Sequence, residues 1–276
     1  SNKKEDDSKP KEDDSKPKEE NSKAKGDKSN KKEENTKNKE EEQFDEKTIQ
    51  MITEKVNKFK KERTIQILKE ESAQMSKKAA DSGMVESMYL YAIKLLIGDG
   101  IVPNKIESSK YMKMAADNGH VESMYRYALQ VCKGSGTEIE VNKQDAAKYF
   151  KMAADNNHVD SMYEYYKMVN ESDGVTKNKE EAERYFKLAL MNKQTDATNE
   201  MAIRHFNGDG VLVNKKAAAE GFKIAADQGN MNAMYNYAAM LEHGQGIEAN
   251  KEEAFKYYKF AADNGQADAI YRYAMM

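Results

Sequence analysis

The sequence predicts an all-α solenoid of antiparallel helix pairs, and three observations carry that prediction. A small-residue phrase closes at Gly83, Gly119, Asn157, Lys193, Gly229 and Gly265, in steps of 36, 38, 36, 36 and 36 residues. Between successive closings lie two stretches of helical apolar spacing, parted in most units by a Gly-x-Gly turn. No unit of this size can bury an apolar face alone, so units must stack on their neighbours.

Composition narrows the function classes. The 276 residues carry a formal net charge of -3 with 34% charged side chains, which gives no global attraction to nucleic acid or to anionic membranes. The single cysteine, Cys132, cannot support a disulfide framework, and a reducing, cytoplasmic setting is expected. No apolar run approaches the ~18 residues needed to span a bilayer, so membrane insertion is not expected. A chain that starts without Met and stops after a first-helix pattern reads as part of a longer polypeptide.

Taken in order, residues 1–43 are almost wholly Lys, Glu, Asp, Ser and Asn, with KEDDSKP at Lys4–Pro10 repeated at Lys11–Pro17. With nothing apolar to offset ordering entropy, this stretch is read as a disordered charged tail. Residues 44–83 are read as a degenerate capping repeat. Ile49, Ile52, Val56 and Phe59 would form a first helix, and Ile65, Leu68, Met75 and Ala79 a second.

Five full units follow, at residues 84–119, 120–157, 158–193, 194–229 and 230–265, with a partial unit at 266–276. The first helices of the first, second and fifth units repeat a small residue, then Tyr-Ala and an aliphatic residue, as in Ser123, Tyr127, Ala128 and Val131. Turns at Gly98–Gly100, Gly134–Gly136, Gly208–Gly210 and Gly244–Gly246 end those helices. Each second helix opens on an asparagine: Asn104, Asn142, Asn178, Asn214 or Asn250. Four have an acid three residues on (Glu107, Asp145, Glu181 and Glu253), a variant of the reciprocal capping box. Aromatic and small residues such as Tyr149, Phe150, Ala153 and Ala154 then share one face. Two departures stand out: a two-residue insertion within Thr137–Val141, and Gly221 in a tyrosine position next to an altered closing phrase, Ala189–Lys193. The seam between the third and fourth units is expected to be the least regular.

These phrases, the Tyr-Ala pair, GDG followed by Ile101 or Val211, and KYFKMAADN, make the unit similar to the Sel-1-like repeat, a relative of the tetratricopeptide repeat. The resemblance covers residues 84–276. It departs in using Ala for the first-helix glycine, Tyr or Phe for the second-helix Trp, and Ser172 for a turn glycine. It implies a right-handed superhelix that serves as adaptor or scaffold, with the first helices lining a concave surface. Lys/Asn-rich units of this kind also resemble those joined to protein kinase domains in protists. The alternative reading is therefore a regulatory repeat region of a larger enzyme such as a kinase, although no kinase motif is present.

No catalytic, cofactor or metal site is expected. The Gly-x-Gly turns lack the strand and third glycine of a phosphate-cradling loop, and His120 and His158 read as loop residues of a repeated phrase. The predicted site is instead a stripe. First-helix positions spaced i, i+4, i+7 vary widely in polarity between units: Leu90, Lys94 and Ile97; Arg126, Gln130 and Lys133; Glu164, Met168 and Glu171; Glu200, Arg204 and Asn207; Asn236, Met240 and His243. Core positions are expected not to vary so. The stripe is therefore predicted to face the groove and to read a protein partner, an extended peptide or a helix, through charge that runs basic, then acidic, then neutral.

Overall fold

A computed structural model describes residues 45–134 and 139–275. The expectation for residues 1–43, and part of the predicted insertion, lie outside the described residues. The chain divides into two compact units, residues 1–52 and 53–276. Of the first, residues 45–52 are described: Asp45 Oδ1 accepts from the Thr48 backbone N–H at 2.7 Å and starts helix α1.

Among the described residues there are twelve helices and no strand. Helix α1 runs Glu46–Asp81. The pairs that follow are α2 (Val85–Ile97) with α3 (Lys105–Asp117), α4 (Val121–Lys133) with α5 (Lys143–Asp155), and α6 (Val159–Glu171) with α7 (Lys179–Met191). Then come α8 (Thr195–Asn207) with α9 (Lys215–Asp227), α10 (Met231–His243) with α11 (Lys251–Asp263), and α12 (Ala267–Met275). From α2 onward each helix packs on the next, the arrangement of an α-solenoid.

Punctuation explains the regular length. Every paired helix has 13 residues. Each second helix is capped by its asparagine, whose side chain accepts the third N–H of the helix at 2.9–3.1 Å. In two of the four boxes the acid meets its cap, since the Asn104 and Asn250 amides donate to Glu107 and Glu253 at 3.5 and 3.1 Å. Asp145 and Glu181 turn instead to the hydroxyls of Tyr127 and Tyr165, at 3.4 and 3.1 Å. The histidines read as loop residues are first-helix caps: Nδ1 of His120 and His158 accepts from the N–H of Ser123 and Ser161, as Gln194 and Asn230 do for Ala197 and Ala233. The cap side chain also reaches back to an acid of the preceding unit. His120 Nε2 lies 3.4 Å from Glu86, His158 Nε2 lies 3.4 Å from Glu122, and Asn230 donates to Asp196 at 2.8 Å.

The stretch 44–83 departs from the two-helix expectation, because α1 is one helix of 36 residues. The reason is missing punctuation. Shifted by the 36-residue period, Glu62 and Thr64 stand where α2 ends on Gly98 and Gly100, and Leu68 stands for the capping Asn104. Nothing there stops a helix.

Tyrosine pairs form the core between the helices of a unit. Tyr91–Tyr111, Tyr127–Tyr149, Tyr165–Tyr185 and Tyr237–Tyr257 meet edge-to-face with centroids 4.7–5.0 Å apart. A polar ladder joins each unit to the one before. Lys77 and Asp81 hold the Tyr111 hydroxyl, Lys113 and Asp117 hold that of Tyr149, and Lys151 and Asp155 hold that of Tyr185. In the fourth unit both motifs stop, since Met191 stands for the aspartate, Met201 for one tyrosine and Gly221 for the other. The buried core is correspondingly split: one cluster ends at Ala197 and the next begins at Ala202. A Cβ on the second turn glycine would strike the preceding second helix at Gly100 (2.2 Å from Lys69 O), Gly174 and Gly246. At Gly210 it would meet nothing within 4 Å. The α7–α8 junction is the loosest in the array, as the irregular phrases of the sequence lead one to expect.

Candidate functional site

The predicted stripe takes the sixth, tenth and thirteenth residues of each first helix, and the structure separates them. The sixth and thirteenth face solvent in most units: Leu90, Ile97, Arg126, Lys133, Glu171, Asn207 and His243 are exposed, while Glu164, Glu200 and Asn236 are half-buried. The tenth turns inward. Met168 is 4% and Met240 1% exposed, both within the core. Lys94 is tied to Asp99 at 2.9 Å with most of its side chain covered. Gln130 is half-buried, with Oε1 enclosed and unbonded.

This corrects the premise that variable polarity marks a solvent face. The tenth position lies at the rim of the core. There a methionine fits entirely, and a lysine or arginine buries its stem while its head finds a carboxylate.

Most charges of the stripe are also already paired within the chain, while Lys133 and Glu171 stand exposed. Arg126 bonds Glu122 and lies over the Tyr89 ring, and Lys167 pairs with Glu164 at 3.0 Å. Arg204 is the centre of a network across the α7–α8 junction. Its guanidinium donates to Glu200 and to the Tyr166 hydroxyl at 2.8 Å and to Glu183 at 3.2 Å, and it lies 4.1 Å over the Phe186 ring. Tyr163 donates to the other Glu200 oxygen at 3.0 Å, and Tyr166 to the same one that Arg204 holds. Burial, with the Glu200 carboxylate alongside, pushes the Tyr163 and Tyr166 phenols far above their ordinary range. Arg204 and Glu200 are thus a lock between units, and the expected run of free charge along the stripe is largely cancelled.

The structure does bring three stripe residues together. Asn207, Asn236 and Met240 meet Ile203, Phe206 and Phe222 around a hollow of about 320 Å³ between α8, α9 and α10. One small residue lines it where the other units carry a longer side chain. The ninth first-helix position is Ile93, Leu129, Lys167 and Ile203 in the other units but Ala239 here, and Ala239 lines the hollow. Sequence comparison could have found it, since only this unit shortens that side chain. A second hollow, of about 610 Å³, lies among α9, α10 and α11 beside Asp227, Lys256 and Phe260, and no stripe residue lines it. Among the described residues no group of three or more His, Cys, Asp and Glu side chains converges to hold a metal ion. Nor is any described helix long and apolar enough to cross a membrane.

A linear array of capped helix pairs with a variable first-helix face defines a repeat protein of the α-solenoid class. The Sel1 repeat model matches residues 85–120, 121–158, 162–193, 195–230 and 232–266, more than half of the chain, and the protein belongs to the Sel1 repeat family. Members of that family are generally non-enzymatic protein-interaction scaffolds.

Solved structures give the same fold. A Sel1 repeat protein from Oxalobacter formigenes has a TM-score of 0.64 at 24% identity over 72% of this chain and 57% of its own. A protective antigen of uropathogenic Escherichia coli strains, described as displaying an SLR fold, has a TM-score of 0.61 at 21% identity over 72% and 42%. The chain spans about half the length of these two proteins. No curated protein matches the sequence.

Proposed function

We propose that this chain is an interaction scaffold that takes a peptide or helix of a protein partner along its first-helix face, with the hollow between α8, α9 and α10 as the anchor. The observation that carries this reading is the hollow. Its lining is apolar through Ile203, Phe206, Phe222, Ala239 and Met240, with polar groups from Asn207 and Asn236. An apolar pocket with a few polar groups at its edge suits one bulky apolar side chain of an extended ligand. Exposed residues farther along the face, Arg126, Lys133 and Glu171, supply polar contacts of lesser weight. With its single cysteine, the scaffold is assigned to a reducing, cytoplasmic setting.

The test is Ala239→Leu, which places in the hollow a side chain that the fold already carries at Leu129. Pull-down from lysate with the wild-type chain identifies the partner by mass spectrometry. Affinity for that partner is then measured for both proteins. At least a tenfold loss in the variant, with unchanged helicity, is expected. Equal affinity removes the hollow as the anchor.

A further inference from the structure

Helix α1 is out of scale with the 13-residue helices of the array, and the internal period shows what it is made of. Shifted by 36 residues, 49–61 falls on α2 and 69–81 on α3. Val56 and Phe59 then correspond to Ala92 and Leu95, which are buried in α2. Ser72 and Met75 correspond to Ser108 and Tyr111, which are buried in α3 by contact with α2. Ser108 Oγ donates to the Ala92 carbonyl at 2.7 Å, and Tyr111 packs edge-on against Tyr91 at 4.8 Å. One helix thus holds both contact faces of a helix pair. While that helix is continuous, they cannot meet.

Both faces lie open. Val56 is 44% exposed, Phe59 64% and Met75 72%, with Leu68 at 58% between them. The other side of the second half is engaged as in any later unit. Lys69 pairs with Asp99 at 3.0 Å, Lys77 bonds the Tyr111 hydroxyl, and Gly100 lies against the Lys69 carbonyl. Residues 69–81 are therefore built in as a second helix whose first helix is missing.

We infer that a second copy of this chain supplies it: two α1 helices pack antiparallel about a two-fold axis near Thr64 and Ile65, with Val56 and Phe59 of each copy on Ser72 and Met75 of the other. The α2–α3 contacts, transferred by the period, fix this register, since Ala92 over Ser108 becomes Val56 over Ser72. The charges agree with it. Lys58 of one copy comes beside Glu71 of the other, and Lys60 comes beside Lys69, whose charge Asp99 of its own chain already meets at 3.0 Å, whereas a parallel pair would set the whole lysine cluster against itself. The contact is isologous and occurs twice, so two helix–helix faces contribute to one interface. Exchange between copies follows from the lost turn. With Glu62, Thr64 and Leu68 in place of two glycines and an asparagine, the connection stays helical and sends each half to a neighbour.

Sedimentation equilibrium of the full chain tests the inference. The expected mass is twice that of the 31.4 kDa chain, and Val56→Glu with Phe59→Glu is expected to give the single-chain mass with the helicity of α2–α12 kept. Restoring the turn with Glu62→Gly, Thr64→Gly and Leu68→Asn is expected to give a monomer as well, closed on itself. In a Cys132→Ser background, a chain with Val56→Cys mixed with one carrying Ser72→Cys is expected to form a disulfide between copies on oxidation. A wild-type monomer at high micromolar concentration overturns the inference. So do a dimer untouched by the two glutamates, absence of the disulfide, and growth beyond two chains.

Discussion

Arg204→Met is the sharpest probe of how the array holds together. Methionine keeps an apolar stem but removes the guanidinium, and with it the contact over Phe186 and three donor contacts, to Glu200 and Tyr166 at 2.8 Å and to Glu183 at 3.2 Å. Hydrogen bonds to charged groups contribute about 1.5–3 kcal/mol each when sheltered. The Glu183 side chain is 40% and that of Glu200 26% exposed, so both carboxylates recover part of the loss from water. A net cost of about 2–3 kcal/mol follows, between an exposed pair and a broken buried one.

In a quasi-one-dimensional array that cost is paid at one junction. Hydrogen exchange of α8 amides is expected to quicken by roughly 30- to 150-fold, at about 1.4 kcal/mol per tenfold, with α10 and α11 unchanged. A change below about threefold in α8 would place Arg204 among ordinary surface charges and refute the lock. So would a uniform change along the chain.

Gly221→Ala sets two effects against each other. Alanine in a helix interior gains about 1 kcal/mol over glycine. Here, however, its Cβ would lie 2.9 Å from that of Ala202, where overpacking costs about 1–3 kcal/mol. Thermal unfolding is expected to fall by a few degrees, and a rise would mean that α8 and α9 are not in close approach. Acid is expected to open the inter-unit ladder. The Tyr111 hydroxyl and Lys77 hold Asp81 below its ordinary value of 3.8, and Lys151 together with Tyr165 holds Glu181 below 4.5. For Asp117 burial pushes upward, but Tyr149 and Lys113 outweigh it and the net shift is down. Depressed carboxylates stabilise the fold above their unfolded values and lose that contribution as pH falls through the folded ones. Circular dichroism at 222 nm should therefore hold from neutrality to about pH 4 and decline below it. A flat profile to pH 2 would show that the ladder contributes nothing to stability.

Much of the fold was legible because it repeats. A glycine or asparagine at a fixed offset stops or starts a helix by local chemistry alone, and five copies of Asn104 and its equivalents leave little to tertiary context. The same logic failed where punctuation was absent. Ile52, Val56 and Phe59 carry a first-helix pattern, yet apolar spacing does not say where a helix ends, and Glu62 and Thr64 let α1 run on. The tenth position of the stripe was misread for a different reason. Polarity that varies between Lys94, Met168 and Arg204 is compatible with one half-buried rim, because long side chains place a charged head at its edge. Pairings across units, such as Lys113 with Tyr149, lie 36 residues apart and become visible only when the solenoid stacks.

The seam shows why three residues depart together. In a regular unit the aspartate accepts from the second-helix tyrosine, and that ring packs on the first-helix tyrosine, as Asp117, Tyr149 and Tyr127 do. Removing one member would leave a half-buried hydroxyl unsatisfied or a ring without its partner, and both cost more than removing the set. Met191, Met201 and Gly221 are that removal carried out whole. The compensation lies on the other side of the junction. Tyr166 occupies a position that is Ala92, Ala128, Ala202 and Ala238 in the other units, and its hydroxyl completes the Glu200–Arg204 network. The junction has therefore exchanged a lock between second helices for one between first helices, and that exchange is why a single arginine can govern it.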